Sequence, residues 1–106
     1  QAEMQCRMFQ QAVDDIDRAI RMEPKEPLYH AERAVVYYRI GEFAEALSSA
    51  KKSAELNPEF GDAYRLMGIC QLKLNQREEG LAHLKKAAEL GDQAAQGILT
   101  EEETKQ

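Results

Sequence analysis

Hydrophobic residues recur along this chain at intervals of three and four positions, the spacing that places them on one face of an α-helix. In the stretch FQQAVDDIDRAI, which begins at Phe9, they stand on one side while aspartate, arginine and glutamine occupy the other. The same pattern predicts helices over residues 9–23, 28–40, 42–56, 62–74, 77–90 and 93–103. The chain is therefore predicted to be all-α.

The residues between these segments are ones that end helices. Pro24 and Pro27 lack the amide hydrogen that a helix needs, and each disfavours helical geometry in the residue before it. Gly41, Asn75 and Gly91 are residues that tolerate the left-handed conformation found at helix C-termini. Asp92 is expected to accept a hydrogen bond from the free amides that open the last helix.

The helical segments repeat every 34 residues. Small residues stand 34 apart at Ala12, Ala46 and Gly80, and prolines do so at Pro24 and Pro58. Further matched sets are Ala19, Ser53 and Ala87, then Met22, Leu56 and Leu90, then Phe9 and Phe43. This is the length of one helix-turn-helix unit in a stacked array. Such a unit buries its apolar face only against its neighbours, so the sequence predicts an open scaffold without a closed catalytic pocket.

These residues resemble the tetratricopeptide-repeat family, which places small residues where paired helices cross, as at Ala34 and Gly68, and a proline at the end of each unit. The resemblance implies a right-handed α-α superhelix of antiparallel helix pairs. It divides the chain, as a fragment of a single domain over 1–106, into a partial repeat 1–26, complete repeats 27–60 and 61–92, and a capping helix and tail 93–106. The turn at 90–96 is also similar to Sel1-like repeats, but the 34-residue period favours the first assignment.

The chain departs from the family pattern at three positions that usually carry large apolar residues. His30, Arg33 and Gln71 stand there instead. We expect Arg33 to pair with an aspartate of the preceding helix, for which the candidates are Asp14, Asp15 and Asp17.

Composition narrows the classes of partner. The net charge of −5 disfavours nucleic-acid binding, because counterion release cannot supply affinity to an acidic chain. Cys6 and Cys70 are too few for a disulfide framework or a zinc site, and both are expected to be buried thiols. No apolar run is long enough to span a bilayer. The sequence indicates no compartment.

The sequence contains no residue pattern typical of catalysis or metal binding. His30 and His83 have no cysteine or carboxylate at metal-ligand spacing, and we expect both to be satisfied side chains at the surface or the edge of the core. There is no glycine-rich phosphate loop and no nucleophile motif. Runs of carboxylates such as Glu101 to Glu103 are interpreted as solvated faces. No catalytic residue, metal ligand or cofactor is predicted.

The first helices of successive units line the concave side of such an array, and this side is the candidate working surface. Candidate partner-binding residues are Leu28, Val35, Tyr38, Arg39, Arg65, Ile69, Leu72 and Lys73. The stripe is expected to continue on the capping helix at Gln96, Leu99 and Glu103. Tyrosine and arginine are enriched at interface hot spots, whereas the aliphatic members could instead be core.

Two functions follow as hypotheses. In the first, a peptide or helix of a partner protein binds the concave groove. Some family members hold the C-terminal carboxylate of chaperone peptides with lysine and asparagine, but here Ala31, Glu32 and Val35 occupy such positions, so this clamp is not expected. In the second, the chain forms a homodimer through its open N-terminal end, where Met4, Met8 and Phe9 lack a covering helix.

Overall fold

The computed structural model describes the backbone of residues 2–105 and the side chains from residue 7 onward. Six α-helices and no strand are found there. The helices are α1 (Ala2–Met22), α2 (Pro27–Arg39), α3 (Phe43–Leu56), α4 (Gly61–Lys73), α5 (Arg77–Glu89) and α6 (Gln93–Thr104). None of them is both long and apolar enough to cross a membrane.

The turns between the helices take the geometry that their residues favour. Gly41, Asn75 and Gly91 have φ values of +83°, +63° and +97°, the left-handed conformation expected at these positions. The Oδ1 atom of Asp92 accepts a hydrogen bond of 3.0 Å from the backbone amide of Ala95, which confirms the predicted cap of α6.

Helix α1 is longer than its sequence pattern predicts. It begins at Ala2, whereas the periodic apolar positions begin at Phe9. Residues 2–8 contain neither glycine nor proline, and all of them except Cys6 are good helix formers, so nothing interrupts the helix there. The predicted burial of Cys6 and the exposure of Met4 concern side chains outside the described residues, whereas Cys70 is fully buried as expected.

Consecutive helices pack side by side, and small residues occupy their crossings as predicted. Ala34 and Ala46 are fully buried between α2 and α3. A Cβ atom built on Gly80 would lie 2.9 Å from the carbonyl oxygen of Gly68, so α4 and α5 approach more closely than an alanine side chain allows. The core is therefore a series of helix contacts shared between neighbours.

The polar residues that replace apolar ones in α2 are satisfied inside the stack. Arg33 Nε donates to Asp17 Oδ1 at 2.8 Å, which confirms the expected link to α1, and Arg33 Nη1 donates to Ser49 Oγ of α3 at 2.7 Å. The Arg33 guanidinium also lies 4.8 Å from the ring centre of Tyr37. One arginine thus joins three consecutive helices.

His30 and Gln71 are satisfied in the same way. The Nε2 atom of buried His30 lies 3.1 Å from the carbonyl oxygen of Pro24, so it donates to the turn before α2. Gln71 is 2% exposed, and its Oε1 accepts from Nδ1 of His83 at 2.6 Å. Both histidines therefore have structural partners, as predicted.

Candidate functional site

An open groove lies between the C-terminal ends of α2 and α4 and the inner side of α6. Its volume is about 540 Å³. We call it the α4–α6 groove, and its lining residues are Tyr38, Ile69, Leu72, Lys73, Asn75, Arg77, Ile98, Glu101, Glu102 and Lys105. Four of the helices, α2, α4, α5 and α6, thus contribute to this surface, which no single segment of the sequence contains.

The apolar side chains of the groove are only partly buried. Tyr38 packs edge-on against Phe43, with ring centres 5.3 Å apart. Ile69 contacts the buried cores on both sides of α4, while Leu72 and Ile98 pack against the core formed by α5 and α6. Each of these residues therefore supports the fold with one part of its side chain and leaves another part at the groove surface.

The charged side chains of the groove are not equivalent. Arg77 Nη1 donates to Glu102 Oε1 at 2.5 Å, and Arg77 Nη2 donates to the Glu102 carbonyl oxygen at 3.2 Å. Lys105 Nζ donates to the other carboxylate oxygen of Glu102 at 3.0 Å. Lys73 forms no ion pair with any side chain between residues 7 and 105. A ligand in the groove therefore meets Lys73 as an unengaged cation.

Glu102 corrects the prediction that residues 101 to 103 form a solvated acidic face. Its side chain is only 12% exposed, because it lies between Arg77 and Lys105. Hydrogen bonds from Arg77 and then from Lys105 hold the pKa of Glu102 below its ordinary value of 4.5. Glu101 and Glu103 are exposed as expected.

Four of the eight predicted binding residues meet in this groove. They are Tyr38, Ile69, Leu72 and Lys73. Val35 and Arg39 line a second, more apolar groove of about 610 Å³ together with Met8, Phe9, Ala12 and Val36 of α1 and α2. Leu28, at the start of α2, is 47% exposed and lines neither groove.

Arg65 is placed away from the α4–α6 groove and is already paired. Its Nη1 atom donates to Asp92 Oδ2 at 2.5 Å and lies 3.4 Å from Asp62 Oδ1. The Asp92 side chain is 5% exposed, so the pair connects α4 to the start of α6 in a largely buried position. The charge of Arg65 thus serves the helix packing, and its role toward a partner stays a prediction.

The predicted continuation on α6 has the wrong register. Leu99 is buried against α5, and Leu99 and Glu103 face a different depression beside Lys85, while Ile98, Glu101, Glu102 and Lys105 line the groove. Helix α4 starts at residue 61 and α6 at residue 93, a distance of 32 residues, because both α5 and the following turn are one residue shorter than their counterparts. Counting back 32 residues instead of 34 aligns Leu99 with buried Met67, which would have placed Leu99 in the core.

His83 lies on the other side of α5, outside the groove. Its ring stacks on Tyr64 with centres 6.2 Å apart. Partial burial lowers the pKa of His83 below its ordinary value of 6.5. Within the described part of the chain, no group of three histidine, cysteine or acidic side chains is arranged to hold a metal ion.

The order and packing of the helices match those of proteins of known structure. The family model of the tetratricopeptide repeat matches residues 27–60. The first repeat domain of Spaghetti (RPAP3), solved with the HSP90 peptide SRMEEVD, aligns with a TM-score of 0.83 and 25% identity over 89% of this chain and 76% of that one. The chain has the tetratricopeptide-repeat fold, and residues 27–60 match the model of one such repeat. A second protein, the Sgt2 domain from Aspergillus fumigatus, shares the fold with a TM-score of 0.86 and 21% identity, over 98% of this chain and 72% of that domain.

Sequence relatives point to the same family. This tetratricopeptide-repeat chain is 26% identical over 87 residues to Small glutamine-rich tetratricopeptide repeat-containing protein 2 of Mycosarcoma maydis. The aligned region covers 82% of this chain and 25% of that relative. It is 34% identical over 62 residues to the Protein SGT1 homolog of Bos taurus, covering 58% of the chain and 18% of that protein. The chain thus spans about a quarter or less of the length of these relatives.

Proposed function

We propose that this tetratricopeptide-repeat chain is a non-catalytic adaptor that binds a peptide segment of a partner protein in the α4–α6 groove. The observation that carries the proposal is a row of half-buried apolar side chains, Tyr38, Ile69, Leu72 and Ile98, at the surface of an open groove. Apolar floors with a few polar groups at their edges are typical of peptide-binding grooves. Solved relatives of the same fold carry HSP90 or HSP70 peptides.

The charges of the groove define the partner more closely. Lys73 has no partner within the described chain, so a carboxylate of the bound peptide would gain a charge-assisted hydrogen bond there. At the positions of the chaperone-tail clamp, Ala31 is buried, Glu32 is exposed and acidic, and Val35 is half-buried. A peptide held here would therefore owe its orientation to Lys73 and the apolar floor.

A peptide-selection experiment tests this function. Twelve-residue peptides would be selected from a displayed random library against the wild-type chain, and the binding site would be mapped by NMR shifts on ¹⁵N-labelled protein. We expect shifts at Ile69, Leu72 and Ile98, and Lys73→Glu should weaken peptide binding about tenfold, since a hydrogen bond to a charged group is lost. Lys85→Glu is the matched control, because it makes the same charge change on exposed α5 surface away from the groove.

The proposal would be contradicted if the library yielded no binder, or if the shifts mapped to another surface. It would also be contradicted if Lys73→Glu and Lys85→Glu weakened binding equally, because that result indicates a general effect of net charge.

Self-association is the second candidate function, and the groove between α1 and α2 favours it. Met8 is 69% exposed and lies beside Phe9, Val35 and Val36, which form a mostly apolar surface. Two copies that cover this surface mutually would form a dimer with a two-fold axis. Light scattering over a range of concentrations tests the dimer: Met8→Glu should shift a dimer toward monomer, whereas a wild-type monomer at every concentration would eliminate this candidate.

A further inference from the structure

The groove already contains a carboxylate that behaves as a bound ligand would. Both oxygens of Glu102 accept hydrogen bonds from cations, one from Arg77 of α5 and the other from Lys105 just after α6. Arg77 reaches the backbone of Glu102 as well. Paired contacts of this kind are how arginine and lysine recognise a carboxylate in a peptide.

The surroundings of this carboxylate are those of a binding subsite. Arg77 and Lys105 line the same groove as the unpaired Lys73 and the apolar residues Leu72 and Ile98. Three cations from different parts of the chain thus face one open space, which is also lined by the carboxylates of Glu101 and Glu102. Glu102 pairs with two of the cations, whereas Glu101 is exposed. A peptide that carries an acidic residue next to an apolar one would match both features of this surface.

Resting on the proposed peptide-binding function, we propose that Arg77 and Lys105 form a carboxylate subsite of the groove, that Glu102 occupies it as an internal ligand, and that an acidic side chain of a bound peptide takes its place. Glu102 thereby lowers the affinity for acidic peptides, because each must displace a carboxylate that is already held. The subsite is formed by the start of α5 and the end of α6, so it is separate from Ala31, Glu32 and Val35 on α2.

The test compares two substitutions that change the net charge equally. Glu102→Gln keeps the shape of the side chain and an oxygen that can accept from Arg77, but it removes the competing charge. Glu103→Gln is the control, because Glu103 is exposed and lies outside the groove. Circular dichroism establishes that both variants keep the helix content of the wild type. Binding of a fluorescent SRMEEVD peptide, and of a neutral counterpart with sequence SRMQQVN and an amidated C-terminus, would be measured by anisotropy.

We expect Glu102→Gln to tighten SRMEEVD binding by about threefold to fivefold, the range available from releasing a partly exposed ion pair. Glu103→Gln should change it by less than about twofold, and the neutral peptide should bind all three proteins alike. Adding Arg77→Gln to Glu102→Gln should remove the gain. The proposal is wrong if Glu102→Gln increases the affinity for SRMEEVD no more than Glu103→Gln does. It is also wrong if the Glu102→Gln variant binds SRMEEVD no better than the neutral peptide.

A measurement on the wild type avoids any effect of substitution on folding. The side-chain NMR signals of Arg77 and Lys105 should shift as SRMEEVD is added, and unchanged signals at saturation would overturn the proposal.

The carboxylate subsite and the adaptor function can be refuted by different results. If library peptides bind the groove while Glu102→Gln shows no selective gain, only the carboxylate subsite is refuted, whereas absence of any peptide in the groove refutes the adaptor function itself.

Discussion

Replacement of Gly68 by alanine tests the closest helix contact of the fold. Gly68 of α4 faces Gly80 of α5, and a Cβ atom at Gly68 would lie 2.8 Å from the Gly80 carbonyl oxygen and 2.7 Å from Cγ of Leu84. Leu84 is fully buried, and the carbonyl oxygen belongs to the backbone of the facing helix. Neither can move without shifting α5, so the added methyl group must separate the two helices.

The size of the effect follows from two opposing terms. Alanine is favoured over glycine inside a helix by about 0.8 to 1 kcal/mol. Overpacking of a close-packed site costs about 1 to 3 kcal/mol, and contact with a backbone atom places Gly68→Ala in the upper part of that range. We expect a net loss of about 1 to 2 kcal/mol in the free energy of unfolding. For a domain of this length, each kcal/mol shifts Tm by about 4 to 8 °C.

Gly97 in α6 supplies the matched control. It also lies inside a helix, but no atom lies within 4 Å of a Cβ built there. Gly97→Ala should therefore stabilise the chain by about 0.5 to 1 kcal/mol through helix propensity alone. Urea and thermal unfolding followed by circular dichroism would measure both variants. The reasoning is refuted if Gly68→Ala is as stable as the wild type or more so while Gly97→Ala is stabilised.

Three further predictions concern charge, protonation and thiol reactivity. Arg65→Glu should lower the free energy of unfolding by at least about 2 kcal/mol, because it breaks a largely buried ion pair with Asp92 and places two carboxylates side by side. An unchanged urea midpoint would contradict this prediction. Because the pKa of His83 is lowered, the unfolded chain takes up a proton at higher pH than the folded chain, so the free energy of unfolding should be highest above pH 6.5 and fall at lower pH. Urea midpoints measured at pH 7.5 and 5.5 should therefore differ less for His83→Asn than for the wild type. Burial raises the pKa of Cys70 to about 11, so in a Cys6→Ser background the native chain should react with iodoacetamide far more slowly than the urea-unfolded chain. Equal reaction rates for the native and the unfolded chain would contradict this prediction.

The sequence by itself determined the helices, their order and their ends. These depend on residues that are neighbours along the chain: apolar positions at three-and-four spacing, and helix-ending residues such as Gly41, Asn75 and Gly91. The 34-residue period also indicated which small residues lie at helix crossings, because equivalent positions in equivalent units face the same way. The link between Arg33 and α1 was predictable for the same reason, since the stacking order placed aspartates opposite it.

Only the tertiary structure decided which candidate residues share a surface. Arg65 and Asp92 are 27 residues apart and Arg77 and Glu102 are 25 apart, and no local pattern indicates that either pair meets. Because α5 and its turn are two residues shorter in total than their counterparts, Leu99 aligns with buried Met67 and not with Arg65, and it lies in the core. A helix turns by about 100° per residue, so a small change in chain length exchanges buried and exposed faces. Helix formation is local, whereas the composition of the groove depends on the register between helices.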